Sequence, residues 1–228
     1  MLTTSAEDYL KAVYEISEGS GRASTSALAE KLGVTPASVT GMLRSLSARR
    51  PQLVFYRKHH GATLTEEGRR RALEVIRHHR LVEAFLHQTL GLPWDQVHAE
   101  AERIEHAISE DLEDRIAEHL GFPLVDPHGG PIPAKDGSLP ERPATRLDDL
   151  PTGQSAEITL VPDEDPALLR YLAEVGLVPG AAVTVLDREP FAGPIYLKVG
   201  SAAGSRPVSP AVCHQVFVTP SQMQENPE

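Results

Sequence analysis

The chain has 228 residues, 40% of them hydrophobic and 24% charged, and a formal net charge of −10. That length suits one large domain or two to three small ones. No apolar run approaches the roughly 18 residues a membrane span needs, the N-terminal MLTTSAEDYL lacks the basic and apolar segments of a secretory signal, and the lone Cys213 cannot close an internal disulfide, so a soluble chain in a reducing cytoplasm is expected.

The acidic total hides a split. Residues 1–80 carry 13 Lys and Arg against 8 Asp and Glu, and residues 81–228 carry 9 against 24. A basic front and an acidic back imply different tasks, and attraction to phosphate follows the local field rather than the total. Nine of the ten histidines lie between His59 and His128.

In chain order, residues Ser5–Glu18 place Tyr9, Leu10, Val13, Tyr14 and Ile16 at helical spacing. A second helix in SALAEKLG ends at Gly33. A third follows in VTPASVTGMLRSLSARR, with Thr35 as N-cap and Pro36 in its first turn. Val39, Leu43 and Leu46 face inward, which leaves Thr35, Ser38, Thr40 and Arg44 outward. Next, Leu53–Tyr56 and Ala62–Thr65 read as two strands around a basic tip that holds Arg57 and Lys58. Helix, tight turn, helix and hairpin make a winged helix-turn-helix, whose small, polar and basic outer face suits a DNA groove and whose tip can reach phosphate.

A long helix is predicted over Glu66–Leu90, and a second from about Pro93 to Leu120. The second carries Ile104, Ile108, Leu112, Ile116 and Leu120 every four residues and needs either a core partner or a second subunit. Residues Asp126–Pro151 read as an ordered turn and then a flexible linker. Beyond them, short β-type runs at Ala156–Val161, Ala182–Leu186, Ile195–Val199 and Gln215–Val218, with one helix at Pro166–Val175, suggest a small barrel.

The segment HAEAERIEH gives this order its chemistry. At about 100° per residue, His98, Glu102, Glu105 and His106 fall within one arc of roughly 100°. On the preceding helix His79 and Glu83 are i, i+4 neighbours. Antiparallel packing of the two helices would let His79, Glu83 and His98 converge, with Glu102, Glu105 and His106 further along. Imidazole with carboxylate suits first-row divalent metals; a solvated polar face is the alternative. No HExxH, GxSxG or GxxxxGK[ST] occurs, and Cys213 and His214 would face opposite ways on a strand, so an enzyme is not expected.

Taken together, SAEDYLKAVYEI, SALAEKLGVTPASVTGMLRSL, RHHRLVE, VHAEAERIEHAIS, PHGGPIPAKDG and LLRYLAEVGLVPGAAVTVL resemble the diphtheria toxin repressor family of metal-dependent regulators over nearly the whole chain. The resemblance implies an α+β fold: a winged helix-turn-helix DNA-binding domain at 1–73, a helical metal-binding and dimerisation domain at 74–140, a linker at 141–152 and an SH3-like domain at 153–228. It implies an ancillary metal site at His79, Glu83 and His98, and a primary site at Asp8, Glu102, Glu105 and His106. The SH3-like domain can add a ligand, for which PDEDP offers Asp163, Glu164 and Asp165; capping of the helix at Pro166 is the other use for them. The iron-responsive branch usually has Met at the position of Asp8 and Cys at that of Glu102, and harder carboxylates there suit Mn²⁺. The expected protein is a homodimeric, manganese-activated repressor that binds a palindromic operator in double-stranded DNA and controls metal uptake. Fe²⁺ or another divalent metal, or an organic effector, is the alternative.

Overall fold

The computed structural model describes residues 2–140, 145–201 and 204–221. The chain forms two compact units. The first holds the residues up to His79 with Ile104–Glu113 and Pro133–Leu139; the second holds Arg80–Arg103, Asp114–Ile132 and the chain from Pro140 onward.

The first unit opens with three capped helices. Helix α1 (Thr4–Ser20) starts where the Thr3 side chain accepts from Ala6 N and stops at Gly21, whose φ of 74° no β-carbon obstructs. Helix α2 (Thr25–Lys31) is capped by Ser24, and α3 (Pro36–Ala48) by Thr35 with proline in its first turn. Strands β1 (Val54–Arg57) and β2 (Gly61–Leu64) pair antiparallel, Val54 opposite Leu64 and Arg57 opposite Gly61. The tip needs left-handed backbone at His59 (φ 66°) and Gly61 (φ 79°). A β-carbon on Gly61 would stand 2.6 Å from the Ala23 carbonyl oxygen, because residues 23 and 62 exchange backbone hydrogen bonds there. Leu10, Val13, Leu28, Val39, Leu43, Leu46 and Val54 are fully buried in one core, each worth roughly 1.5–3 kcal/mol of burial. This is the expected winged helix.

Helix α4 (Glu66–Gln88) matches the predicted long helix. The second long helix does not form as one piece. It divides into α5 (Trp94–Ile104) and α6 (Glu110–His119), and Glu105–Ala107 form a turn that closes with Ala107 N donating to Ile104 O. Ser109 restarts the helix: its hydroxyl accepts from Leu112 N, and Glu110, Asp111 and Glu113 favour the positive N-terminal end. The apolar stripe is therefore split. Ile116 packs with Leu81, Ala117 and Ile132, and Leu120 lies against that cluster, whereas Ile104 and Leu112 stay exposed.

The second unit holds a six-stranded antiparallel sheet in the order β3-β8-β4-β5-β6-β7. Its strands are β3 (Thr145–Arg146), β4 (Ser155–Leu160), β5 (Ala182–Arg188), β6 (Ile195–Val199), β7 (Arg206–Val208) and β8 (Phe217–Pro220). Helix α7 (Pro166–Val175) is capped by Asp165 at one end and Gly176 at the other, and a four-residue helix α8 spans Pro210–Cys213. Two expectations need correction. Part of the predicted linker is ordered: Leu147 and Leu150 are apolar anchors in a charged stretch and sink into the sheet core, while residues 141–144 lie outside the described residues. Strand β7 is too short and proline-bearing to show an alternating pattern, as suits the sheet edge it occupies.

Cys213 is fully buried in the sheet core, and burial pushes its thiol up to about 12. It is expected to resist a disulfide labelling reagent at pH 8 until denaturant is added, since the thiolate is the reactive form. Rapid stoichiometric labelling of the folded chain would contradict that packing.

Candidate metal centres and nucleic-acid interface

The outward face of α3 carries the predicted DNA-contacting residues. Thr35, Pro36, Ser38 and Arg44 are exposed, Thr40 is half-buried, and Arg57 and Lys58 are exposed on the wing. The hydroxyls have local duties as well. Thr35 Oγ1 accepts from Ser38 N at 3.2 Å, and Thr40 Oγ1 donates to Pro36 O at 3.0 Å. Arg44 is expected to provide a cation rather than fold stability. Arg44→Ala should weaken DNA binding across sequences and lower the salt slope by about 1, with thermal stability unchanged; an unaltered salt slope would remove Arg44 from the interface.

In the first unit, α1 and the turn after α5 bring three predicted ligands together. Asp8, Glu105 and His106 each place one ligand atom within 4.8 Å of the others'. His106 Nε2 lies 2.7 Å from Asp8 Oδ1 and 3.2 Å from Glu105 Oε1. The other ring nitrogen, Nδ1, lies 2.8 Å from Glu7 Oε2. A ligand taken by Nε2 leaves Nδ1–H to donate to Glu7, which fixes the tautomer and the ring. Glu105 is fully buried, where a carboxylate needs a cation or donors on every side. It has Lys11 Nζ at 3.0 and 3.2 Å and a short contact with His79 Nδ1. Glu102 stays on the last turn of α5 and is exposed. The single-helix arc thus fails for Glu105 and His106, because the helix has ended before them. Glu100 pairs with Arg103 on the surface, as expected for solvent-facing residues.

The second unit gathers another group. His98 Nδ1 stands 3.2 Å from Glu83 Oε1 and 3.9 Å from Asp163 Oδ2. Asp163 is thus the PDEDP residue beside predicted ligands. Asp165 caps α7 by accepting from Ala167 N at 2.8 Å, and Glu164 is exposed. Asp126 and His128 join the group, although neither was expected as a ligand. Ligand atoms of Glu83, Asp126 and His128 lie within 4.8 Å of one another, and all three residues are buried. His128 Nε2 lies 2.8 Å from the Trp94 carbonyl oxygen, and the ring stacks on Trp94, so Nδ1 is aimed at the carboxylates, 3.9 Å from Glu83 Oε2. The turn is built for this. Asp126 Oδ1 accepts from His128 N and Gly130 N at 2.8 and 2.9 Å. A β-carbon on Gly130 would lie 2.3 Å from Asp126 Oδ2, and one on Gly129 (φ 89°) 1.9 Å from Thr159 O. The paired glycines of PHGG were the sequence signal for this close approach.

Burial, then the neighbouring Glu83 carboxylate, raises Asp126 to about 6 against the pull of Arg80. Burial alone would lower His128, but Glu83, Asp126 and Asp163 outweigh it and raise it to about 9. Asp126 Oδ2 has the Arg80 guanidinium at 3.4 Å but, like the buried His128 Nδ1, makes no hydrogen bond among the described residues. Buried ligand atoms left without hydrogen bonds, in an oxygen and imidazole set, fit a divalent transition metal.

Three family models tile the chain: an iron-dependent repressor N-terminal DNA-binding domain at residues 1–62, an iron-dependent repressor metal-binding and dimerisation domain at 65–134, and a FeoA domain at 145–220. The iron-dependent repressor IdeR of Mycobacterium leprae is 34% identical over 196 residues, spanning 81% of this chain and 84% of that protein. The chain belongs to the diphtheria toxin repressor family. Among solved structures of this type, a manganese-dependent transcriptional repressor in complex with manganese is 39% identical, with a TM-score of 0.87 over 95% of this chain and 100% of that one. A regulator named MntR from Oceanobacillus iheyensis is 35% identical over 122 residues, 54% of this chain and 81% of that protein. Like other members of the diphtheria toxin repressor family, the chain is a metal-dependent, DNA-binding regulator, and its C-terminal sheet is the family's SH3-like domain. No described helix is long and apolar enough to cross a membrane.

Proposed function

We propose that the chain is a homodimeric, Mn²⁺-activated transcriptional repressor that binds a palindromic operator and limits metal uptake in the cytoplasm. The observation that carries this reading is the convergence of Asp8 from α1 with Glu105 and His106 from the turn after α5, in the unit that also holds the winged helix. Glu102, three residues ahead of Glu105, is assigned to the same primary centre. His79, one turn ahead of Glu83 on α4, is assigned with Glu83 and His98 to the ancillary one, to which Asp163, Asp126 and His128 add donors.

A bound divalent ion supplies positive charge that offsets repulsion among Glu7, Asp8 and Glu105. Asp8 and His106 then hold α1 against the turn that leads into α6. The orientation of the winged helix becomes the quantity that metal concentration controls, by differential contact with one of two populations. Two recognition helices about 34 Å apart, or a multiple of that, would then enter successive major grooves. Exposed Phe122, Leu124 and Val125 support a subunit face, since a lone chain would leave this apolar group in water.

Support for Mn²⁺ over Fe²⁺ is the donor set. The chain's one cysteine is Cys213, buried in the sheet core, so every assigned ligand is oxygen or imidazole. The 34% identity to an iron-dependent repressor makes Fe²⁺ the competitor to test. Anaerobic operator binding titrated with Mn²⁺, Fe²⁺ and Zn²⁺ decides the question: half-saturation at the lowest free concentration relative to cellular supply is expected for Mn²⁺, and activation by Fe²⁺ alone would overturn the manganese assignment.

A further inference from the structure

Lys11 is a lysine where lysines are rarely found. It lies on α1, one turn after Asp8, and is only 8% exposed. Its ammonium donates to Glu105 Oε1 at 3.2 Å and Oε2 at 3.0 Å and stands 3.2 Å from His79 Nδ1. His106 Nε2 approaches the same Oε1, and His79 the same Oε2. Both oxygens of the fully buried Glu105 are thus occupied, and a positive charge already neutralises the carboxylate. A buried carboxylate stripped of its cation is strongly destabilised, so the metal-free centre depends on Lys11.

We propose that Lys11 is a resident counter-cation, which a divalent ion must displace from Glu105, so that this lysine sets the metal concentration at which the centre fills. The inference rests on the reading of Asp8, Glu105 and His106 as a metal centre. The helix face that offers the Asp8 ligand also carries the competitor for Glu105. The lysine stem is long and flexible enough to swing the ammonium aside without moving α1. Neutralising Lys11 removes both the competition for Glu105 and the like-charge repulsion toward the incoming ion. A purely structural ion pair would affect stability and leave metal affinity alone.

The test uses the full-length chain, with Mn²⁺ binding measured by calorimetry and thermal unfolding measured with and without metal. Lys11→Gln and Lys11→Met are expected to bind Mn²⁺ about tenfold tighter than the unaltered chain, with the metal-free Tm lower by about 4 °C or more and largely restored by Mn²⁺. Lys11→Arg, which keeps the charge, should stay within about threefold of the unaltered affinity. The tightening should vanish when Asp8→Ala is added. Neutral variants within twofold of the unaltered Kd, or weaker, would overturn the inference while the metal centre stands. If the unaltered chain takes up no Mn²⁺ that Asp8→Ala abolishes, the reading of the centre itself fails. Should both neutral variants be unfolded without metal, folding on Mn²⁺ addition supports displacement, and failure of Mn²⁺ to fold them overturns it.

Discussion

Asp8→Ala is expected to abolish metal-dependent operator binding, raising the operator Kd at saturating Mn²⁺ by roughly 100-fold, near the upper end of ordinary allosteric coupling. The metal-free Kd should not change, and unfolding free energy should stay within about 0.5 kcal/mol. The reason is the position of the side chain. Asp8 is half-exposed on α1 and stands outside the Tyr9, Leu10 and Val13 face that builds the core. Its carboxylate meets His106 Nε2 at 2.7 Å, across a sequence separation of 98 residues. Removing it takes away the α1 half of the contact that metal would strengthen and leaves the apolar face of α1 in place. Gel-shift titrations in Mn²⁺ and in chelator, with urea melts beside them, measure both quantities. Retained Mn²⁺ activation in Asp8→Ala would place the switch elsewhere.

Gly129→Ala should be the most destabilising single methyl in the second unit, costing about 3 kcal/mol or more. Two effects combine. The residue sits at φ 89°, which side-chain-bearing residues rarely adopt, and the new β-carbon would lie 1.9 Å from the Thr159 carbonyl oxygen. Relief requires moving the turn off β4 and breaking the Val161 N to His128 O hydrogen bond. His128 and Asp126 would then lose their aim at Glu83. Gly130→Ala is the companion: its β-carbon meets the Asp126 carboxylate rather than backbone, so its effect should fall on metal uptake more than on stability. Urea unfolding with Mn²⁺ calorimetry separates the two variants. A Gly129→Ala protein within about 0.5 kcal/mol of the original would contradict the close-packed turn.

The winged helix was legible because its signals are local. Thr35 and Pro36 mark one helix start, Ser24 another and Gly33 an end, and the hairpin shows as two short strands around a basic tip. The helix predicted from about Pro93 to Leu120 failed because apolar residues every four positions outweighed a cap signal, Ser109 followed by Glu110 and Asp111. That break matters, since it frees Glu105 and His106 from the helix and turns them toward α1. Asp8 came from family resemblance, not from spacing. Glu7, Lys11, Asp126 and His128 went unread as partners of the centres. Nothing near Lys11 in the chain announces that its partner is Glu105, 94 residues away. His128 sat in a PHGG segment that reads from the sequence as an ordered turn, with nothing to say that Glu83 stands beside it.

On the proposed function, metal drives this chain onto DNA. The direct measurement is the affinity of the full-length protein for a palindromic duplex selected from a random-sequence pool, taken with Mn²⁺ and with chelator at one salt concentration. Binding is expected to be at least about tenfold tighter with Mn²⁺, lost on chelation and restored on metal return. Equal affinity in both conditions would contradict it.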